Sequence, residues 1–355
     1  MLNSESNNKR IYVAYTGGTI GMKKSDQGYV PFKGHLTDSI NALPEFHRDE
    51  MPTFTINEYQ PLIDSANMTP SDWQRIADDI KKHYDDYDGF VVLHGTDTMA
   101  YTSSALSFMF ENLNKPIIVT GSQIPLSQLR SDGQVNVLNS LYIAANYPIN
   151  EVGLFFNNKL YRGNRSIKAY ADGFNAFDSP NMSPLLEAGI SIKVIAGQIA
   201  DTDTDAVDIE RVERADSKPA VIVRDIIPQP IGVVHLYPGI SSDVVENAIR
   251  QPVKALIIRS YGVGNAPQDP ALLACLAKAK EQEIVVINCS QCIRGTVNMS
   301  GYATGNALSQ AGVISGHDMT LEATLTKLHY LLSQNLSYSE ICRLMEVNLR
   351  GELTL

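Results

Sequence analysis

Residues 10–21 read RIYVAYTGGTIG, and the interpretation of the whole chain starts from them. The first six residues of this stretch form a short apolar run, which is typical of a strand buried on both faces of a sheet. Adjacent glycines follow, which allow the backbone to turn sharply and to bring its N–H groups close to a bound atom. The stretch therefore predicts a buried strand that ends in a loop suited to binding or catalysis.

The same arrangement, an apolar run followed by a loop rich in Gly, Thr and Ser, occurs twice more. We call each of these three loops a mouth. Residues 88–93 are followed by HGTDT, and residues 116–119 by TGSQ. Helical patterns separate the runs, one beginning at Pro70 and two more covering 104–113 and 135–145. Apolar strands that alternate with helices predict an α/β fold with a parallel sheet covered on both faces. Because such sheets bind ligands at the carboxyl ends of their strands, the three mouths locate the predicted site.

The second half of the chain repeats this pattern on a smaller scale. It contains predicted strands at 231–236, 255–259 and 284–288 and predicted helices at 242–250 and 270–280.

We therefore expect two α/β domains. The larger is an N-terminal parallel-sheet domain over residues 1–202, and the smaller is a C-terminal α/β domain over residues 229–355. Residues 203–228 are rich in charged residues and poor in large apolar ones, which is typical of a linker.

Composition excludes several classes of function. The chain has 355 residues and a formal charge of −10, from 29 Lys and Arg against 39 Asp and Glu, and no basic cluster dense enough to predict nucleic-acid binding. The N-terminus lacks the apolar run of a secretory signal, and no stretch approaches the ~20 apolar residues of a membrane-spanning helix. We expect a cytoplasmic protein that binds neither nucleic acid nor membranes.

The sequence predicts neither a metal nor a cofactor. Cys289 and Cys292 form a lone CxxC, without the second pair or the spaced histidines of a zinc site. The seven histidines are scattered, and no Ser/His/Asp set is evident.

The first mouth offers a hydroxyl at Thr19, beside glycine N–H groups that could stabilise an oxyanion. Two alternatives stay open. Glycines alone would serve a plain turn between strand and helix. A phosphate-binding loop is the other alternative, although the GxxxxGK[ST] spacing is missing.

The second mouth places a hydroxyl beside a carboxylate, at Thr96 and Asp97, which could orient a water or a substrate amine. Helix capping by either side chain is the alternative. Lys168, in RGNRSIK, could serve as a proton acceptor for a threonine if it were buried beside Asp97; a solvated surface lysine is the alternative.

Residues 21–38 contain three glycines and little periodicity, and Tyr29 lies within them. A segment of this kind next to a site can close over a substrate as a lid. An exposed loop without a role is the alternative.

The first two mouths resemble the two signatures of the L-asparaginase/glutaminase family: TGGTIG, and HGTDTMAYTSSAL at 94–106. The resemblance extends to LRSDGQVN, LYRGNRSIKA, RSYGVGN, TKLHYLLSQ and NLRGEL, and is greatest to the bacterial type I, cytoplasmic branch. It implies an L-asparagine amidohydrolase that uses a threonine nucleophile and yields aspartate and ammonia. It also implies a homotetramer built as a dimer of dimers.

The resemblance implies a role for individual residues of the catalytic site. Thr19 matches the nucleophile, Tyr29 the lid tyrosine that contacts it, and Asn265 a residue that reaches the substrate of a neighbouring subunit. The remaining matches are the second threonine with its partners (Thr96, Asp97, Lys168) and the stretch that holds the substrate's α-amino and α-carboxylate groups (Asp64, Ser65, Ala66). Position 66 carries alanine where the periplasmic enzymes carry glutamine, so no polar side-chain contact is expected there.

The resemblance also implies a regulatory asparagine site, at Arg259, Ser290, Gln291 and Cys292. Arg259 ends one predicted strand of the second domain and residues 290–292 follow another, and open α/β sheets bind ligands at such carboxyl ends. A guanidinium could hold the effector's α-carboxylate through two parallel hydrogen bonds. The alternative is a structural ion pair at Arg259 and a buried thiol at Cys292.

Three other functions stay open at this point. The same scaffold could carry a glutaminase or the asparaginase-like subunit of a transfer-RNA amidotransferase. The TGGTIG loop could belong to a nucleotide-binding module, and the chain could be a non-catalytic scaffold.

Overall fold

The computed structural model describes residues 9–26, 28–195, 219–299, 301 and 303–355. The described residues form two compact units, 9–195 with 219–224, and 225–355. Each is an α/β unit, and the first contains the larger parallel sheet, so the predicted fold class is confirmed. The predicted linker, 203–228, lies outside the described residues as far as residue 218, and its extent stays a prediction.

The first unit contains a large sheet, several short strand pairs and four α-helices in its described residues. In chain order these elements are β1 (Arg10–Gly17), β2 (Met22–Ser25), β3 (Gly28–Pro31), α1 (His35–Asn41), β4 (Thr53–Ile63), α2 (Pro70–Lys82), β5 (Gly89–Leu93), α3 (Met99–Met109), β6 (Phe110–Glu111), β7 (Ile117–Thr120), α4 (Gly133–Asn146), β8 (Val152–Phe156), β9 (Lys159–Arg162), β10 (Ile167–Lys168), β11 (Phe177–Asp178), β12 (Leu186–Ala188), β13 (Ile192–Val194) and β14 (Ile222–Val223).

The large sheet has eight strands in the order β13-β12-β9-β8-β7-β5-β1-β4. Strands β4, β1, β5, β7 and β8 run parallel, and the others add an antiparallel edge. Tyr15 pairs with Leu93, and Leu93 with Thr120. The carboxyl ends of β1, β5 and β7 therefore lie side by side, which brings the three mouths together as the sequence predicts.

Helices pack against the sheet through their buried residues. Helix α2 begins at Pro70 with a capping box between Thr69 and Asp72, and it buries Trp73 and Ile76 among others. On β1, alternate residues enter one core with Leu36 of α1. The strands and the Pro70 helix predicted in this half are confirmed within a few residues.

The helix predicted at 104–113 is wrong in its bounds, because α3 runs from Met99 to Met109. Every residue of α3 except Tyr101 is buried. A helix buried all round leaves no alternation of polar and apolar faces in the sequence, so periodicity cannot mark its start. Its predicted last turn is strand β6, which pairs with β14.

The second unit contains a four-stranded parallel sheet in the order β15-β16-β17-β18. Its described elements are β15 (Ile231–His235), α5 (Ser242–Ala248), β16 (Ala255–Ser260), α6 (Pro270–Glu281), β17 (Val285–Ser290), α7 (Ala303–Gln310), β18 (Ile314–Ser315), α8 (Leu321–Leu332) and α9 (Tyr338–Met345). The three strands and two helices predicted here are confirmed.

A fully buried ion pair joins α8 to the C-terminal segment. Lys327 Nζ lies 2.6 Å from Glu352 Oε1 and also donates to the carbonyls of Met345 and Val347. Glu352 accepts from the backbone N–H groups of Leu349 and Arg350. Every proton of the ammonium therefore has an acceptor, and the carboxylate fixes the turn that reverses the chain.

We expect Glu352→Gln to lower the free energy of unfolding by about 3–5 kcal/mol, because it leaves a buried charge without a counter-charge. The double variant Lys327→Met/Glu352→Gln should be less destabilised than Glu352→Gln alone. Urea unfolding of the full chain measures both. A double variant as unstable as the sum of the two single variants would contradict this account.

Candidate active site

The three mouths and the turn after β4 meet at the backbone of His94 and Gly95. A Cβ atom on Gly18 would overlap the backbone of Gly95, and one on Gly121 would overlap the carbonyl of His94. A Cβ atom on Gly95 would overlap the side chain of Ser65. Glycine at these positions therefore allows the three mouths to pack backbone against backbone and the Ser65 side chain to pack against Gly95.

Thr19 opens the 3-10 turn Thr19–Gly21 directly after β1. Leu126 N, in the loop after β7, donates to Ile20 O at 2.9 Å and holds this turn in place. Thr19 is partly buried, and among the described residues its hydroxyl has no hydrogen-bond partner. The backbone at Thr19 is thus held in position, and its hydroxyl is available to act on a bound molecule.

Lys168 joins the two polar residues of the second mouth. Its Nζ donates to Thr96 Oγ1 at 3.0 Å and to Asp97 Oδ1 at 2.6 Å. The Lys168 side chain is 20% exposed and the Asp97 side chain 63%, while Thr96 is buried. Lys168 is therefore not a solvated surface lysine, and the proximity that the sequence could not show is present.

Helix capping does not account for the second mouth. Helix α3 has Thr98 as its N-cap residue, without a side-chain cap, and the Thr98 hydroxyl donates to Ser65 O at 2.8 Å. The hydrogen bonds of Thr96 and Asp97 go to the site instead, so the capping alternative is wrong.

Gln123 is a site residue that sequence reasoning missed. Its Oε1 accepts from Thr96 Oγ1 at 3.0 Å, and its amide nitrogen donates to the carbonyls of Ala171 and Gly173. Its backbone N–H donates to Asp132, a partly buried carboxylate whose pKa burial raises while backbone donors oppose the rise. The TGSQ motif after β7 indicates this region of the site, but it does not show which partners the Gln123 side chain contacts.

His94 is completely buried behind the second mouth. Its Nδ1 donates to Gly95 O at 2.7 Å, and its Nε2 accepts from Thr102 Oγ1, which in turn accepts from Trp73 Nε1. Because the Gly95 carbonyl can only accept, the proton of the neutral ring resides on Nδ1. Burial lowers the pKa of His94 to about 4.

The segment that contains Tyr29 is a β-hairpin of β2 and β3 that leads into α1, not an irregular loop. Tyr29 lies on β3, which contacts the Thr19–Gly21 turn. Its ring is exposed.

Asp64, Ser65 and Ala66 follow β4 at the same edge of the sheet. Asp64 accepts from Ala66 N and caps the short 3-10 turn that begins at Ser65. Ser65 is buried against Gly95, whereas Asp64 and Ala66 are exposed.

The second unit brings the four predicted regulatory residues together. Arg259 Nε donates to Ser290 O at 3.0 Å, Gln291 Nε2 donates to Arg259 O at 2.8 Å, and Cys292 N donates to Ser290 Oγ at 3.0 Å. No carboxylate among the described residues lies within ion-pair distance of Arg259, and Cys292 is exposed. The buried-thiol alternative is therefore wrong. Arg259 makes no direct ion pair among the described residues, although its positive charge opposes the rise that burial produces in the pKa of Glu322.

Asn265 closes a tight loop after β16. Its backbone exchanges two hydrogen bonds with Tyr261, at 2.8 and 2.9 Å.

Two family models match the chain, the N-terminal asparaginase model over residues 10–200 and the glutaminase/asparaginase C-terminal domain over residues 230–345. The chain belongs to the asparaginase/glutaminase family. It is 66% identical to L-asparaginase 1 of Escherichia coli strain K12 over 352 residues, which cover 98% of each chain.

Solved structures of the asparaginase family agree. The crystal structure of L-asparaginase I from Vibrio cholerae O1 biovar eltor matches with a TM-score of 0.88 at 60% identity, over 98% of this chain and 100% of that one. The thermostable L-asparaginase from Thermococcus kodakarensis matches with a TM-score of 0.82 at 30% identity, over 97% and 99%. The resemblance read from the two signatures is confirmed.

Two kinds of feature are absent from the described part of this asparaginase-family chain. No helix there is both long enough and apolar enough to cross a membrane. No group of three or more His, Cys, Asp or Glu side chains there could hold a metal ion.

The burial of His94 gives stability a defined pH dependence. Below its unfolded pKa of 6.5 the ring binds a proton in the unfolded chain but not in the folded one until about pH 4. Stability should therefore fall as the pH falls from 6.5 to 4, by on the order of 3 kcal/mol from this group. Melting temperature plotted against pH across this range should have a shallower slope for His94→Asn than for wild type. The exposed His235→Asn variant is the control, and an equal slope in both variants and wild type would contradict the assignment.

Proposed function

We propose that this chain is an L-asparagine amidohydrolase with Thr19 as its nucleophile. The observation that carries the proposal is the Thr19 hydroxyl, which has no partner among the described residues and lies in a turn packed against the loop of Thr96. The names of the E. coli and V. cholerae relatives support asparagine as the substrate.

The reaction needs three things that these residues can supply. A primary amide is a poor electrophile and a threonine hydroxyl a weak nucleophile, so a neighbouring group must accept the proton. We assign this role to Lys168, which is hydrogen-bonded to Thr96. N–H groups of the glycine-rich mouth face the developing oxyanion.

Attack of Thr19 Oγ on the side-chain carbonyl carbon forms a β-aspartyl ester. The C–N bond then breaks, and the amide nitrogen takes the proton and leaves as ammonia. A water positioned near Thr96 attacks the ester, returns a proton to Thr19 and releases aspartate.

The remaining residues bind and enclose the substrate. Tyr29 closes over Thr19 with its hairpin, and the 3-10 turn of Asp64, Ser65 and Ala66 holds the α-amino and α-carboxylate groups. Asn265 of a neighbouring subunit completes the site in a homotetramer, a dimer of dimers, located in the cytoplasm.

Release of ammonia from asparagine, glutamine and a panel of other amides tests this function. We expect a higher kcat/KM for asparagine, because one added methylene displaces the scissile carbonyl while the α-groups stay anchored. A misplacement of ~1 Å can lower the rate about a hundredfold. Equal kcat/KM values for the two amides would point to the glutaminase alternative. A melting temperature raised by nucleotide, without ammonia release, would point to the nucleotide-binding one.

Thr19→Ala and Thr96→Val should each lose roughly 100-fold or more of kcat, since each removes a nucleophile or a proton-transfer group. Their melting temperatures should match wild type. Thr55→Val, at an exposed position of β4, is the matched control. Turnover close to wild type in either site variant would refute the assigned roles.

We further propose that the second unit binds asparagine as an effector. The specific observation is the Arg259 guanidinium, which has no carboxylate at ion-pair distance in the described residues, beside the exposed Cys292. A guanidinium in this state can bind the effector's α-carboxylate through two parallel hydrogen bonds.

Velocity should then rise sigmoidally with asparagine, with a coupling of ~1–3 kcal/mol between the sites. Arg259→Ala should give hyperbolic kinetics and keep the chemistry, whereas Arg250→Ala, at an exposed arginine, should stay sigmoidal. Hyperbolic wild-type kinetics, with one asparagine bound per subunit in calorimetry on Thr19→Ala, would leave no effector site.

A further inference from the structure

Glu58 connects the edge strand of the large sheet to the base of the Tyr29 hairpin. From β4 its Oε2 accepts from Gly34 N at 2.7 Å, and its Oε1 accepts from Thr37 Oγ1 at 2.6 Å and from Thr37 N at 3.4 Å. Gly34 is the N-cap residue of α1 and has no side chain with which to cap the helix. Glu58, on β4, therefore caps the N-terminus of α1.

The hairpin is joined to the body of the unit at two glycines. Gly21 ends the Thr19 turn on one side, and Gly34 precedes α1 on the other. Gly34 has a φ of 78° and open space where a Cβ would lie, so its glycine serves backbone conformation and not packing. A residue with this freedom is suited to act as a hinge.

Helix α1 itself is fixed to the body. Leu36 and Ile40 are fully buried in the same core as Tyr15 and Ile20. Residues 22–33, in contrast, are exposed or partly buried wherever they are described. Gly21 is packed against the Tyr15 hydroxyl, whereas Gly34 is unobstructed, so a displacement of the hairpin relative to α1 would turn at Gly34, the end that Glu58 holds.

The neighbour of Glu58 supports this assignment. Tyr15 pairs with Glu58 across β1 and β4, and its hydroxyl lies beneath Gly21, buried and without a hydrogen-bond partner. Burial raises the pKa of Tyr15, and the negative charge of Glu58 adds to the rise. The carboxylate is thus near a buried donor, yet its hydrogen bonds go to the hairpin base.

We propose that Glu58 is a positioning residue that fixes the Gly34 hinge and thereby sets the closed position of the Tyr29 hairpin over Thr19. The contribution to catalysis rests on the proposed function. The side chain must be a carboxylate, because two separate oxygens accept hydrogen bonds. Glutamine retains only one acceptor oxygen and presents an N–H₂ group to the other donor.

Trypsin cleavage at the exposed Lys23 and Lys24 of β2 reports hairpin opening without any need for activity. We expect Glu58→Gln to be cleaved several-fold faster than wild type, with an unchanged melting temperature. Thr37→Val should be cleaved at an intermediate rate, since it loses the hydroxyl and keeps both backbone donors. Glu50→Gln makes the same chemical change at an exposed site and should be cleaved like wild type.

Tyr15→Phe separates the carboxylate from local packing. It alters the same spot but removes a hydroxyl that has no partner, so its cleavage rate should equal that of wild type. Opening in Tyr15→Phe as large as in Glu58→Gln would overturn the proposal.

Steady-state kinetics test whether the Gly34 hinge acts through Tyr29. Glu58→Gln should lower kcat/KM for asparagine by roughly 10- to 100-fold, the range expected when a catalytic group is misplaced by ~1 Å. In a double-mutant cycle with Tyr29→Phe, the two losses should be strongly non-additive. Additive losses, or a loss of activity that follows a lowered melting temperature with wild-type cleavage, would overturn the proposal. Absence of asparagine hydrolysis in the wild type would refute the proposed function instead, while the cleavage rates would still test the hinge.

Discussion

The candidate site depends on the close approach of four backbone segments at the His94–Gly95 peptide. Gly18 and Gly121 touch it from the neighbouring strands, and Ser65 touches it from the turn after β4. Any side chain larger than hydrogen at these glycines would push the strand ends apart. The buried imidazole of His94, bonded to Gly95 O and Thr102, then fixes the peptide at which the segments meet.

This packing determines where polar side chains can be placed. The mouths touch through their backbones, and beside this contact Lys168 reaches both Thr96 and Asp97. Gln123 completes the set from the third mouth, with its own backbone held by Asp132. Each polar group is oriented by at least one fixed neighbour, which is the preorganisation that electrostatic stabilisation of a transition state requires.

Sequence alone predicted the α/β fold, the sheet edge that carries the site, and the residues of the two family signatures. Periodicity finds strands and one-sided helices well, but it misplaced α3 because that helix is buried all round. Gln123 and Glu58 were missed for a different reason. Their roles come from partners far apart in sequence, 27 residues from Thr96 to Gln123 and 24 from Gly34 to Glu58, and only the assembled sheet brings these partners together.

The two units use the same edge of a parallel sheet in different ways. In the first, the side chains at the strand ends bond to one another, and the Thr19 hydroxyl is left without a partner among the described residues. In the second, Ser290 and Gln291 bond mainly to backbone carbonyls, so they shape a loop and do not form a proton-transfer chain. Arg259 donates to Ser290 O through Nε, and its other two guanidinium nitrogens have no hydrogen-bond partner among the described residues. A hydroxyl with a nearby proton acceptor is suited to catalysis. An arginine side chain that is held in place by a backbone carbonyl is suited to binding an anion. The carboxyl ends of parallel strands thus carry both the candidate catalytic residues of the first unit and the Arg259 cluster of the second.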